Sequence, residues 1–283
     1  IFGMAGQEKD AEGYTSKMKE VKFNKSYDTG EIMAANINLS TFATLLAPVK
    51  ALLMERLALK SQKKLDELLR RYALGLNHNE ESSSVDVLKL CHEIYTQSET
   101  EALASKRSGK RVSPKSEKEE FFLISLNAKT ARVRTENSLF VSTMQKFSLD
   151  LLRTALSRNQ NLLNVAYLEG FIPLLKDTLN SENEGVLIST LRVLIIFVKL
   201  DFPEGSEAVF KNCARKVLNI IKDSPSTSTE LCQMGLKFLS SVLRHKEIEL
   251  KDTALSYVLG RILPDLHEPS KQGLAFNFLK ALF

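Results

Sequence analysis

One short register, repeated at intervals of roughly forty residues, constrains this chain more than any other feature. Leu149-Asp150-Leu151-Leu152 aligns with Leu191-Arg192-Val193-Leu194, then with Leu236-Lys237-Phe238-Leu239 and Phe276-Asn277-Phe278-Leu279. The steps between copies are 42, 45 and 40 residues, roughly the 40–47-residue period of HEAT and armadillo arrays. The residue before each copy is small: Ser148, Thr190, Gly235 and Ala275. Small side chains let helices approach closely, so this column marks the helix–helix contact inside each stack.

Each copy reads as a helix. Val186, Leu187, Thr190, Leu191, Leu194, Ile195 and Val198 recur at spacings of three and four, which places them on one helical face. Asn183-Glu184-Gly185 reads as the polar break before that helix, and Asp201-Phe202-Pro203 as its end, because proline disfavours helix at the residue before it. Partner helices are expected around 162–179, 206–223 and 250–265, the first carrying Ile172-Pro173-Leu174-Leu175. The fold class is therefore all-α, a HEAT- or armadillo-like α-solenoid. An unrelated helical bundle is the alternative, but a bundle has no reason to keep one register four times.

Upstream the pattern is less regular. Residues 1–38 are glycine- and lysine-rich with weak periodicity, and read as irregular or only partly helical. Over 39–97 three helices are expected. Leu45, Leu46, Val49, Leu52, Leu53, Arg56 and Leu57 form the face of the first, with Pro48 near a kink or boundary. Leu65, Leu68, Leu69, Tyr72 and Leu76 face the second, closed by Asn77-His78-Asn79. Val85, Leu88, Leu90, Cys91, Ile94 and Tyr95 face the third, with a serine of 82–84 as its N-cap. Residues 98–136 read as a basic linker and extended arm, and 137–283 as the HEAT-like repeats. Both ends of the chain lack the polar face of a capping repeat, which is expected of a window in a longer array.

Composition narrows the function classes. No apolar run reaches the length of a membrane span, and the opening residues lack the pattern of a signal peptide. Cys91, Cys213 and Cys232 are far apart without CxxC spacing, which suits a reducing compartment and argues against a disulfide framework. His78, His92, His245 and His267 are scattered, and the adjacent Cys91 and His92 diverge on a helix. No phosphate-binding glycine motif occurs, the serine tract at 224–229 has no histidine beside it, and the acids Asp66-Glu67 and Glu80-Glu81 are expected at helix borders, where solvated acids are common. No catalytic constellation, metal site or cofactor is expected; the chain reads as a non-enzyme.

The stretch 104–116, ASKRSGKRVSPKS, carries Lys106, Arg107, Lys110, Arg111 and Lys115 without an acid. A short apolar strip at 121–124 follows, then Lys129, Arg132 and Arg134. Such a cluster suits a backbone-contacting arm or a nuclear localisation signal; a solvated linker is the plain alternative. Ser113-Pro114 fits a proline-directed phosphorylation site, a pattern common in linkers.

Several segments resemble one family. IFGMAG at 1–6, KSYDT at 25–29, LLAPVK at 45–50, LDELLRRYALGLNHN at 65–79 and QGLAFNFLKALF at 272–283 are similar, in order, to the C-terminal part of the DRIM family. These are giant helical-repeat proteins of the small-subunit processome, also called small nucleolar RNA-associated protein 20. The resemblance implies a nucleolar scaffold around the U3 small nucleolar RNA that supports pre-rRNA processing and 18S maturation in 40S assembly. Its partners would be pre-ribosomal RNA and other processome proteins, with no membrane and no small-molecule substrate. The eight cations from Lys106 to Arg134 named above are then the expected RNA contacts. The net charge of +5 agrees. The alternative is a HEAT-repeat adaptor for proteins alone, such as a nuclear transport receptor or a phosphatase or kinase scaffold, although transport receptors are usually acidic.

Overall fold

The computed structural model describes residues 2, 25–55, 57–108, 127–203, 206–246, 248 and 250–282, with backbone only for 101–108, 127–138 and 206. The chain is all-α, a helical-repeat fold, and no strand occurs among the described residues. It divides into two compact units, Ile1–Leu151 and Leu152–Phe283.

In the first unit α1 (Lys25–Asn36) packs along α3 (Leu59–His78). The contact face of α1 is Gly30 and Ala34, both buried, so the helix gives no apolar periodicity to read. Two glycines set the spacing. A β-carbon on Gly30 would meet Tyr72 Cε1 at 3.0 Å, and one on Gly75 would overlap the Glu31 carbonyl and approach Ala34 Cβ to 2.8 Å. The joint is closed by Asn79, which is buried and donates to the Ala34 and Ile37 carbonyls at 3.2 and 2.6 Å. Helix termini leave their last carbonyls unpaired, so Asn79 caps α1 from the end of α3.

Leu65, Leu68, Leu69, Tyr72 and Leu76 form the buried face of α3, as their spacing predicts. In α2 (Phe42–Leu53) the buried set is Phe42, Leu46, Val49 and Leu53. Pro48 neither ends nor bounds that helix. Pro48 and Thr44 are both exposed, so the Thr44 carbonyl that loses its helical partner faces solvent, where the cost is lower. Leu57 lies beyond the helix, and Arg56 lies outside the described residues. Phe42 packs edge-on to Tyr72 at 6.2 Å and stacked on Phe147 at 6.3 Å.

After a 3-10 turn at Glu80–Ser83, α4 (Asp86–Ser108) starts with the Asp86 amide donating to Ser84 Oγ at 3.3 Å. The flanks of the segment expected as linker and arm over 98–136 are helical: α4 continues to Ser108 and α5 begins at Asn127, ending at Arg158. Both flanks are rich in Ala, Glu, Lys and Arg, strong helix formers, and the first glycine comes only at 109. Residues 109–126, including the strip at 121–124, lie outside the described residues. Ser148 of α5 is buried and donates to the Cys91 carbonyl of α4 at 2.7 Å.

The second unit is built from helix pairs. The segment expected as one helix over 162–179 is broken into a 3-10 turn, a single helical turn α6 (Val165–Leu168) and α7 (Phe171–Thr178). Gly170 and Pro173 explain the breaks, the proline sitting in the first turn of α7, where its missing N–H costs nothing. Then come α8 (Glu184–Phe197), α9 (Ser206–Asp223), α10 (Glu230–His245), α11 (Asp252–Ile262) and α12 (Gln272–Leu282). Glu184 and Gly185 belong to α8 rather than to the break before it; Asn183 is the N-cap, accepting from the Val186 amide at 3.1 Å.

Helix α8 is buried nearly all round, as its apolar run from Val186 to Phe197 requires. Helix α10 packs on α8, α9 and α12. Gly235 faces Ile221, whereas Lys246 lies over the Phe210 ring at 5.7 Å, so α9 and α10 run antiparallel. Arg192 pairs with Glu230 and Lys246 bonds the Leu200 carbonyl, so α8 and α10 run parallel. This is the arrangement that a two-helix repeat produces. Thr190, Gly235 and Ala275 are all buried, at 0 and 2 % exposure for the threonine and alanine. A β-carbon on Gly235 would meet Ile221 Cγ1 at 3.1 Å and Val217 Cγ1 at 3.2 Å. The small column is therefore buried in all three copies, and at Gly235 it marks the contact within the α9–α10 pair.

Candidate functional site

Cations from one repeat close the helix ends of the repeat before it. Lys246 donates to the Leu200 carbonyl at 2.8 Å, just past the end of α8. Arg261 of α11 donates to the Ile221 and Ser224 carbonyls at 3.0 and 2.9 Å, at the end of α9. A cation at a helix C-terminus meets both unpaired carbonyls and the negative end of the helix dipole. In the serine tract 224–229, Thr229 caps α10 through the Cys232 amide, and buried Thr227 donates to Asp265 at 3.1 Å. That tract is an inter-helix loop with structural bonds.

No group of three or more His, Cys, Asp or Glu residues suited to a metal occurs among the described residues. The cysteines are buried thiols: burial pushes Cys91 far up, Cys213 up to about 11 and Cys232 up as well. Raised thiols are poor nucleophiles at neutral pH. No described helix is long and apolar enough to cross a membrane.

The cations expected to contact RNA divide in two. Lys106 and Arg107 fall on the last turn of α4, and Lys129, Arg132 and Arg134 on the first turns of α5, with their side chains outside the described residues. Lys110, Arg111 and Lys115 lie outside the described residues altogether.

A second basic site was not anticipated from the sequence. A groove of about 430 Å³ runs between α9 and the segment leading into α11. Lys211, Arg215, Lys222 and Lys251 form its rim, all exposed. Its floor is apolar: Ala214, Leu218, Ile248, Leu250 and Ala254. No carboxylate lines it among the described residues; Glu247 and Glu249, which flank Ile248 in sequence, lie outside them. Arg215 donates to Asn212 at 3.2 Å, and the Lys222 ammonium sits 5.6 Å from the Tyr257 ring centre. The signal available in the sequence was the spacing 211, 215, 222, one face of a helix. Lys251 joins it only through packing.

Residues 1–95 match the family model described as the U3 small nucleolar RNA-associated protein 20 domain. The protein of Saccharomyces cerevisiae named U3 small nucleolar RNA-associated protein 20 is 61 % identical over 282 residues, covering all of this chain. Its namesake in Schizosaccharomyces pombe is 37 % identical over 290 aligned positions, again across the whole chain. The chain spans 11 % of the length of each of these relatives. Similarity at this level, continuous from the first unit through the last helix pair, places it: the chain belongs to the U3 small nucleolar RNA-associated protein 20 family.

Proposed function

We propose that this chain is part of a non-catalytic scaffold of the small-subunit processome, acting in the nucleolus to support pre-rRNA processing and 18S rRNA maturation. The observation that carries this reading is the 61 % identity, along the entire chain, to a relative named for association with the U3 small nucleolar RNA. A stack of helix pairs supports it, since such stacks offer long surfaces for partners. Partners in this reading are pre-ribosomal RNA, the U3 particle and other processome proteins. Lys106, Arg107, Lys110, Arg111 and Lys115, with Lys129, Arg132 and Arg134, contact RNA phosphates. Their support is compositional: five cations without an acid between 104 and 116, which is what sequence-independent phosphate contact needs.

Two measurements test this. Full-length protein purified through a tag should bring down U3 RNA and unprocessed pre-rRNA, and its depletion should lower 18S without lowering 28S-type large-subunit RNA. Recovery of protein partners alone would favour an adaptor instead. Replacing the five linker cations with alanine, while adding a strong foreign import signal, should weaken RNA binding. The salt slope should fall by roughly 0.7–0.9 for each phosphate no longer neutralised. An unchanged slope with normal pre-ribosome association would overturn the phosphate-contact assignment.

A further inference from the structure

The groove between α9 and α11 is a second, separate interaction surface, and the geometry points to an acidic, amphipathic segment of a partner protein as its occupant. The inference needs only the groove, and holds or fails apart from the RNA reading of the linker. Its length comes from α9: Lys211 and Lys222 stand eleven residues apart, about 16 Å at the helical rise per residue. A partner segment of three helical turns spans that distance. Its volume of about 430 Å³ lies within the usual range of ligand clefts, roughly 300–1,000 Å³.

The chemistry selects between ligand classes. Four exposed cations around the rim attract an anion, but the floor they surround is aliphatic: Leu218 and Ile248 are buried, and Leu250 and Ala254 half-buried. A phosphate backbone would satisfy the rim and leave the floor without partners. Single-stranded RNA stacks its bases on exposed aromatic rings; no aromatic residue lines the groove among the described residues, and the nearby Tyr257 ring already faces Lys222. A peptide that alternates carboxylates with aliphatic side chains satisfies rim and floor together, the apolar face supplying affinity and the charges supplying register.

The test is site-specific photo-crosslinking in the full-length chain, in the cells that express it. The photoreactive residue p-benzoylphenylalanine replaces Asn219 in one strain and Ala254 in another; both line the groove. The expected product is a crosslink to a protein segment containing interspersed Asp or Glu and aliphatic residues. Arg215→Glu with Lys222→Glu should cut its yield at least about tenfold, since like charges then face each other. Arg215→Gln with Lys222→Gln keeps side-chain size and should reduce it less. Lys237→Glu, on an exposed position of α10, adds a charge elsewhere and should leave the yield unchanged, which separates groove chemistry from a fold or net-charge effect. Crosslinks to RNA, no crosslink from either position, or a protein crosslink insensitive to the Glu and Gln variants would each overturn the assignment.

Discussion

Gly75 of α3 touches the backbone of Glu31 in α1 so closely that no β-carbon fits between them; one built there would also lie 2.8 Å from the Ala34 methyl. The backbone of α1 cannot give way as a flexible side chain would. Gly75→Ala therefore forces the two helices apart, and is expected to cost about 1–3 kcal/mol or more, read from denaturant unfolding. A β-carbon on Gly260 would meet only open space, and that glycine lies inside α11. Gly260→Ala is expected to stabilise by roughly 0.5–1 kcal/mol through helix propensity. Equal effects from both substitutions would contradict the close crossing.

Arg261 joins α11 to the end of α9 through two backbone carbonyls. Arg261→Ala leaves them without that charged donor and is expected to cost about 1–3 kcal/mol. Arg261→Lys should restore only part, because an ammonium lacks the two-pronged geometry of guanidinium. Amide exchange at the last turn of α9 is the local readout, and should accelerate in the alanine variant more than exchange in α8.

Acid should weaken the ion-pair cluster on α3 through Glu67. Arg71 bridges the helices, 2.9 Å from Glu31 and 3.3 Å from Asp28, and also meets Glu67 at 3.1 Å. The Arg70 hydrogen bond, with Arg71 adding to it, holds Glu67 below its ordinary carboxylate range. A lowered folded pKa means that the stabilisation is complete above the unfolded value, about 4.3, and disappears as pH falls through the folded value. Glu67→Gln should flatten the acid limb of a stability–pH curve below about pH 4.3. An unaltered acid limb would show that the cluster carries no net stabilisation, as some surface ion pairs do not.

The cysteines supply a probe of opening. A rise to about 11 leaves Cys213 with roughly a hundredfold less thiolate than an ordinary cysteine, and Cys91 lies higher still. Labelling in native buffer should be slow at all three sites and slowest at Cys91. Rapid labelling of Cys91 before global unfolding would mean that α4 does not stay packed on its neighbours.

Much of the second unit was legible in the sequence because its helices bury continuous apolar faces, and a 3.6-residue period survives in the order of residues. The burial of the small column at Thr190, Gly235 and Ala275 was legible for the same reason: each copy precedes an apolar run in the same helical register. Helix α1 was not, because it packs through Gly30 and Ala34, which carry no hydrophobic signal. Nor were the roles of Asn79, Lys246 and Arg261, whose bonds reach backbone 37–46 residues away and depend on which helix ends meet. The groove was half legible: three of its cations share a face of α9, but its floor is completed by Ile248 and Leu250 from the next segment. Linear charge density pointed instead to 104–116, where the cations are neighbours in sequence.

The repeat register is tested most directly by Gly235→Leu in this chain, with unfolding followed by circular dichroism in urea. The new side chain must displace Ile221 and Val217, which would stand 3.1 and 3.2 Å from its β-carbon. A loss of about 1–3 kcal/mol or more is expected, while Lys237→Leu, two residues on and exposed, should change stability by less than about 0.5 kcal/mol. A silent Gly235→Leu would contradict the helix pairing on which the repeat reading stands.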